Sequence, residues 1–198
     1  MRRLLTFVAV TCVSLGFLGA GGATAASPPN IPPTAAFGNA CYGQRATHAC
    51  DKQAILNINS ARATEGLGPI ALPANYKSLT LIQKEVAVSN AERTARGLSK
   101  LPAKLAWAKL AKTGAVNNTD PIGPSGRGWG SIWAGGLGDP LAADYLWVYW
   151  DGPGSPNGDC VNPGDSGCFG HRNNILGPFW TAMGAGKAPG SLAQLFVQ

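Results

Sequence analysis

The chain is poor in the residues that most catalytic and metal chemistry uses. It has two histidines, His48 and His171, and no glutamate after Glu92. No run of Lys and Arg occurs, which leaves nucleic-acid binding without an electrostatic footprint. The paired CxxC spacing of structural zinc sites is also missing, and only the two histidines could join a thiolate site. After the first residues, no long apolar run remains, so the mature chain has no integral membrane segment.

What is present begins with a leader. Two arginines precede the apolar run LLTFVAVTCVSLGFLGA, and Ala23-Thr24-Ala25 follows as a small-residue cleavage pattern. Residues 1–25 therefore read as a signal peptide cut before Ala26, not as an anchor. Cleavage lowers the formal charge from +6 to +4, a mildly basic value that suits an anionic envelope or simply a solvated surface. The remaining length suits one domain. Four cysteines stay in the exported chain: Cys41, Cys50, Cys160 and Cys168. An even count in such a chain reads as two disulfides. Three pairings are possible. The local one, Cys41 with Cys50 and Cys160 with Cys168, closes two short loops and is expected.

Composition and periodicity then divide the chain. Residues 26–40, rich in Pro, Ser, Ala and Asn, read as a flexible leader. Asp51 is expected to cap a helix that ends near Glu65, before Gly66, with Ile55, Ile58 and Ala61 or Arg62 on one face. A second helix is expected between Leu79 and Gly97, on Leu79, Ile82, Val86 and Ala91 or Arg93. A third follows Pro102, with Leu105, Ala108, Leu110 or Ala111, and Ala115 as its apolar stripe. Residues 119–140 are loop with at most a short extended piece. Asp139-Pro140 opens a fourth helix as cap and first-turn proline. Residues 151–170 form a second Gly/Pro loop, His171–Leu176 a helical turn, and the two stretches from Met183 and from Ser191 strands. Early helices and few, late strands indicate an α+β layered domain.

The stretch Gly164-Asp165-Ser166-Gly167 resembles the nucleophile loop of trypsin-like serine proteases, and Ala46-Thr47-His48-Ala49-Cys50 resembles their histidine segment. That chemistry would use His48 as base and Ser166 as nucleophile. The helical character of the intervening chain does not suit a pair of β-barrels, and Ala49 separates His48 from Cys50. A disulfide-closed turn explains the Gly164–Gly167 stretch better.

The adjoining stretch, Gly170 to Leu176, points elsewhere. Together with Phe179 to Gly186 it resembles the GHR-x-NIL block and following strand of the CAP superfamily (SCP-like extracellular domains). Glu85–Leu98 resembles that family's opening helix, Leu105–Ala115 its Ala-rich second helix, and Ala142–Trp147 the helix before its signature loop. The order and spacing agree over residues 80–198. Asn59–Leu67 also resembles the opening helix, but that register overextends the distance to His171. Residues 41–79 are therefore read as an N-terminal extension whose own disulfide resembles a set of actinobacterial secreted proteins.

The resemblance implies an α-β-α sandwich around a small antiparallel sheet, with a cleft that holds two His and two acidic residues and in some members a divalent metal. Here only His171 carries over. The first His falls near Gly114, and the family's Glu falls on Ser131. One histidine with an aspartate, Asp144 or Asp151, is too few for a metal, so no cofactor is expected. Trp129, Trp133, Tyr145, Trp147, Tyr149 and Trp150 cluster in the segment expected to line the cleft, and aromatic side chains of this kind suit sugars or lipids. The expected ligand-binding set is His171, Trp129, Trp133, Asp144, Trp147 and Asp151, with His171 and Ser131 as catalytic candidates. The expected function is a secreted, monomeric, non-catalytic domain that binds envelope lipid, glycan or protein. The alternative is a secreted hydrolase acting through His171, or through His48 and Ser166.

Overall fold

The computed structural model describes residues 28–43 and 46–198. The expected signal peptide and cleavage site lie outside the described residues. Among the described residues, six α-helices, a 3-10 turn at Tyr76–Ser78 and three strands follow in the order α1 (Ala35–Cys41), α2 (His48–Thr64), α3 (Leu81–Ala95), α4 (Leu105–Asn117), β1 (Trp129–Gly135), α5 (Pro140–Tyr149), α6 (Gly170–Leu176), β2 (Ala182–Ala188) and β3 (Ser191–Val197). The strands form one antiparallel sheet in the order β1-β3-β2. Pro189-Gly190 turns β2 into β3, with Gly190 at φ 65°, a value that glycine adopts without strain.

The two faces of the sheet carry different layers. Leu195 and Val197 meet Ala111, with Trp107 and Leu110 packed alongside, so α4 covers one face. It sits unusually close because β2 offers glycine there: a Cβ on Gly184 or Gly186 would collide with the α4 backbone. The opposite side chains, Ile132, Met183, Leu192 and Phe196, join one core with Val88 of α3 and the apolar residues of α5. The result is an α+β, α-β-α sandwich with a small antiparallel sheet.

Capping explains several boundaries. Thr80 and Gln83 form a reciprocal capping box at the start of α3. Asp139 caps α5 by accepting from the N–H groups of Leu141 and Ala142, with Pro140 in the first turn. Gly66 and Gly97, at φ 71° and 73°, follow α2 and α3.

Some expectations need correction. The cap of α2 is Thr47, whose hydroxyl accepts from Cys50 N–H; Asp51 lies within the first turn. Residues 28–40 are no loose leader. Ile31 N–H bonds to Tyr149 O at 2.7 Å, α1 forms, and Phe37 is wholly buried. Phe37, Cys41, Cys50, Ala54 and Ile58 share the core of residues 80–198, so the extension is built into the same hydrophobic unit. On α4, Leu105 is exposed and Gly114 is buried in its stead. On α3 the fully buried face carries Glu85, Val88, Ser89, Glu92 and Arg93, whereas Ile82 and Val86 are only partly buried. An apolar period cannot reveal that face, because most of its buried residues are polar or charged.

Both disulfides are local: Cys41–Cys50 and Cys160–Cys168. Among the described residues no helix is long and apolar enough to cross a membrane.

Candidate functional site

The site is organised by the start of α6. Phe169 adopts a left-handed conformation (φ 61°), and its N–H bonds to Asp151 O. This brings α6 against the segment that leaves α5. The buried Asp151 carboxylate then receives three donors. His171 Nδ1 lies 2.6 Å from Oδ1, Asn157 Nδ2 donates to Oδ1 at 2.8 Å, and Arg172 N–H donates to Oδ2 at 3.0 Å. With Nδ1 engaged, Nε2 is the imidazole nitrogen left for the cleft.

The rest of α6 is held from below. Arg172 donates to Val148 O and to the Glu65 carboxylate. Glu65 also pairs with Arg96, which with Arg62 reaches the buried Glu92, and Tyr149 donates its hydroxyl to Glu92. This network links α2, α3, α5 and α6 across their buried interface. Arg93 donates to Ile175 O and Gly177 O beneath the end of α6. Asn174 donates to Ser131 O on β1 and accepts Trp180 Nε1–H at its own carbonyl. The Gly-His-Arg-x-Asn block is thus mostly a positioning device, with one side chain, His171, delivered to a cavity.

That cavity is a cleft of about 670 Å³. Trp133, Trp147, Trp150, Asp120, Asp159 and His171 are among its walls. Trp147 Nε1–H donates to Trp133 O, and Trp133 Nε1–H to Ser191 Oγ, so these indoles are fixed in place. Burial works against a charged His171 ring. The hydrogen bond and charge of Asp151, together with the charges of Asp120 and Asp159, outweigh it and raise the imidazole above its ordinary value. Asp120 is raised too, by burial and by the Asp159 charge, with His171 partly offsetting them. One Asp120 oxygen, Oδ1, is shielded from solvent and has no hydrogen-bond partner.

Of the expected set, His171, Trp133, Trp147 and Asp151 come together, and Trp150 joins them. Asp144 does not: it is fully buried near Glu92 and the three arginines, and that burial with the Glu92 charge pushes its carboxyl well up. Tyr145 and Tyr149 are core residues, bonded to Ile31 O and Glu92. Trp129 lies outside the cleft, packed over Gly123, and Ser131 is likewise absent from its walls. His48 and Ser166 are exposed, on the first turn of α2 and in the Cys160–Cys168 loop. Asp165 accepts there from Val161 and Asn162 N–H groups, so the Gly164–Gly167 stretch is a local turn. The sandwich is not a pair of barrels.

Two aspartates of the cleft escaped the sequence reading. Asp120 follows α4, and Asp159 immediately precedes Cys160 in the segment that leaves α5. Neither stands in a motif, and only the approach of the two loops to His171 identifies them. Among the described residues, no three His, Cys, Asp or Glu side chains converge in a way that could hold a metal ion.

No family model matches the chain, and no curated protein matches it either. Among solved structures, it is similar to an extracellular protein containing an SCP domain from Bacillus anthracis, at 20% identity and a TM-score of 0.46, over 66% of this chain and 45% of that one. A cysteine-rich secretory protein from Staphylococcus aureus matches at 14% identity and a TM-score of 0.43, over 59% of this chain and 38% of that one. The chain spans less than half the length of either structure.

Proposed function

We propose that this protein is an exported CAP-like domain that binds an envelope glycan in the cleft and releases it unchanged. The apolar leader with its A-x-A pattern and the two disulfides support export. The observation that carries the ligand reading is the composition of the cleft wall: three indoles interleaved with Asp120, Asp159 and His171. Sugars present apolar ring faces and many hydroxyls, and this wall offers a partner to each. A lipid chain would instead strip water from Asp120 and His171 and give them no hydrogen bond in return.

The second reading, a hydrolase, has one observation in its favour. The Asp151–His171 pair is the base-and-orienter half of a catalytic triad. The hydrogen bonds of His171 include no hydroxyl or thiol that it could activate, so water would have to be the nucleophile.

Titration of the mature protein with soluble cell-wall oligosaccharides, followed by tryptophan fluorescence, tests both readings. Saturable quenching, lost in Trp150→Ala, with the oligosaccharide recovered intact, is the expected result. Cleaved oligosaccharide whose formation stops in His171→Ala would replace binding by hydrolysis. No saturable response to any fragment would remove the glycan reading.

A further inference from the structure

The protein is basic as a whole, with 16 Lys and Arg against 10 Asp and Glu, yet this cleft reverses that balance. Asp120, Asp151 and Asp159 line it, and no lysine or arginine does among the described residues. A second feature adds to the same field. α4 ends at the cleft, where Asn118 and Thr119 form part of the wall, and its last turn carries no basic residue. The carboxyl end of a helix bears partial negative charge and favours a cation.

The charges present do not balance. Asp151 is committed to His171, Asn157 and the Arg172 N–H. Asp120 lies in the field of the Asp159 charge, which His171 offsets in part, and Asp120 Oδ1 has no hydrogen-bond donor. A cation arriving between them would supply the missing partner. The donor set does not suit a metal ion. The three indoles suit a cation that brings an organic body, because an ammonium group is attracted to the face of an aromatic ring.

From this we infer that the ligand presents an organic ammonium group to Asp120, Asp159 and the C-terminal end of α4, while its body lies along the tryptophans. The inference rests on the reading of this cleft as a ligand site and sharpens it: the glycan is an amino sugar with a free amine. It also accounts for a wall that would repel the anionic polymers common in cell envelopes.

The test compares the glucosamine tetramer with its fully N-acetylated counterpart, at a pH where the amines are protonated, with choline as an ammonium probe that carries no sugar. Calorimetry is run on the mature protein, Asp120→Asn and Asp159→Asn; Asp159 is exposed, so its variant serves if Asp120→Asn folds poorly. The free-amine tetramer is expected to bind at least about tenfold more tightly than the acetylated one, and to lose that advantage in either variant and in high salt. Equal binding of the two tetramers overturns the ammonium inference and leaves the glycan reading standing. Binding of choline alone, dependent on both aspartates, keeps the ammonium group and removes the glycan. If none of the three binds, both fall.

Discussion

The close approach of α4 to the sheet gives a sharp test. Gly186 on β2 faces α4, and a Cβ there would lie 2.1 Å from Lys112 N and 2.4 Å from the Ala111 carbonyl carbon. Ordinary contact begins at 3.4 Å. The obstacle is backbone, which cannot rotate away as a side chain can. In Gly186→Ala the helix must therefore retreat from the sheet by roughly 1 Å, loosening its contacts with Leu195 and Val197. Overpacking of this kind costs about 1–3 kcal/mol. For a domain of this size that lowers the melting temperature by roughly 2–12 °C. The displacement also reaches function, because α4 leads into Asn118, Thr119 and Asp120 of the cleft wall. Ligand affinity should fall with stability. Gly68→Ala is the control: nothing lies near its added Cβ, and its backbone is not in the left-handed region. That change should be neutral or stabilise by about 0.4–1 kcal/mol through the unfolded chain. Thermal and urea unfolding of the two variants decides the matter. If Gly186→Ala melts with Gly68→Ala, the claim that glycine sets the α4–sheet spacing is wrong.

Two further outcomes concern titration. With only two histidines in the chain, NMR can follow His171 directly, His48→Ala identifying the other resonance. Asp151→Asn should lower the His171 pKa, and an unchanged value would refute the orienting role of Asp151. The raised His171 value stabilises the fold at pH below the unfolded histidine range, a contribution lost as pH rises through the folded pKa, so the variant should also show a flatter stability profile there. The Asp139 carboxyl is pushed up to about 7, by burial and by the neighbouring Asp51 carboxyl. A carboxyl raised by folding stabilises the native state most below its ordinary 3.8, and that stability is lost as pH rises through about 7. The loss assignable to Asp139 is at most about 4 kcal/mol. Asp51→Asn removes the neighbouring charge and should shrink the decline in stability between pH 5 and 8; an identical decline in parent and variant would show that the two carboxyls are not coupled.

Much of the fold was legible because its signals are local. Asp139-Pro140 marks the start of α5, Gly66 and Gly97 mark the ends of α2 and α3, and the cysteine spacing suits two short loops. The packing of the residues before α2 into the common core has no local signal. Phe37 and Ile31 are isolated apolar residues in a stretch of Pro, Ala and Asn, and Phe37 is buried against the α2 surface and against Tyr145, far away in sequence. The buried face of α3 was misread in the same way. Glu92 and Arg93 look like solvent residues until Arg62, Arg96, Tyr149 and the end of α6 arrive to pair with them.

The candidate site divides along the same line. Residue order by itself put His171 at the head of a short helix, in a block that resembles the CAP signature, and put tryptophans ahead of that block. Only the tertiary structure chose Asp151 over Asp144 as the partner of His171, removed Trp129, Ser131, Tyr145 and Tyr149 from the cleft, and placed Asp120 and Asp159 in it. Helix caps and turns are settled within a few residues by backbone hydrogen bonding. A cleft is made where the end of α4, the segment after α5 and the start of α6 converge, and the charge it presents exists only after they have met.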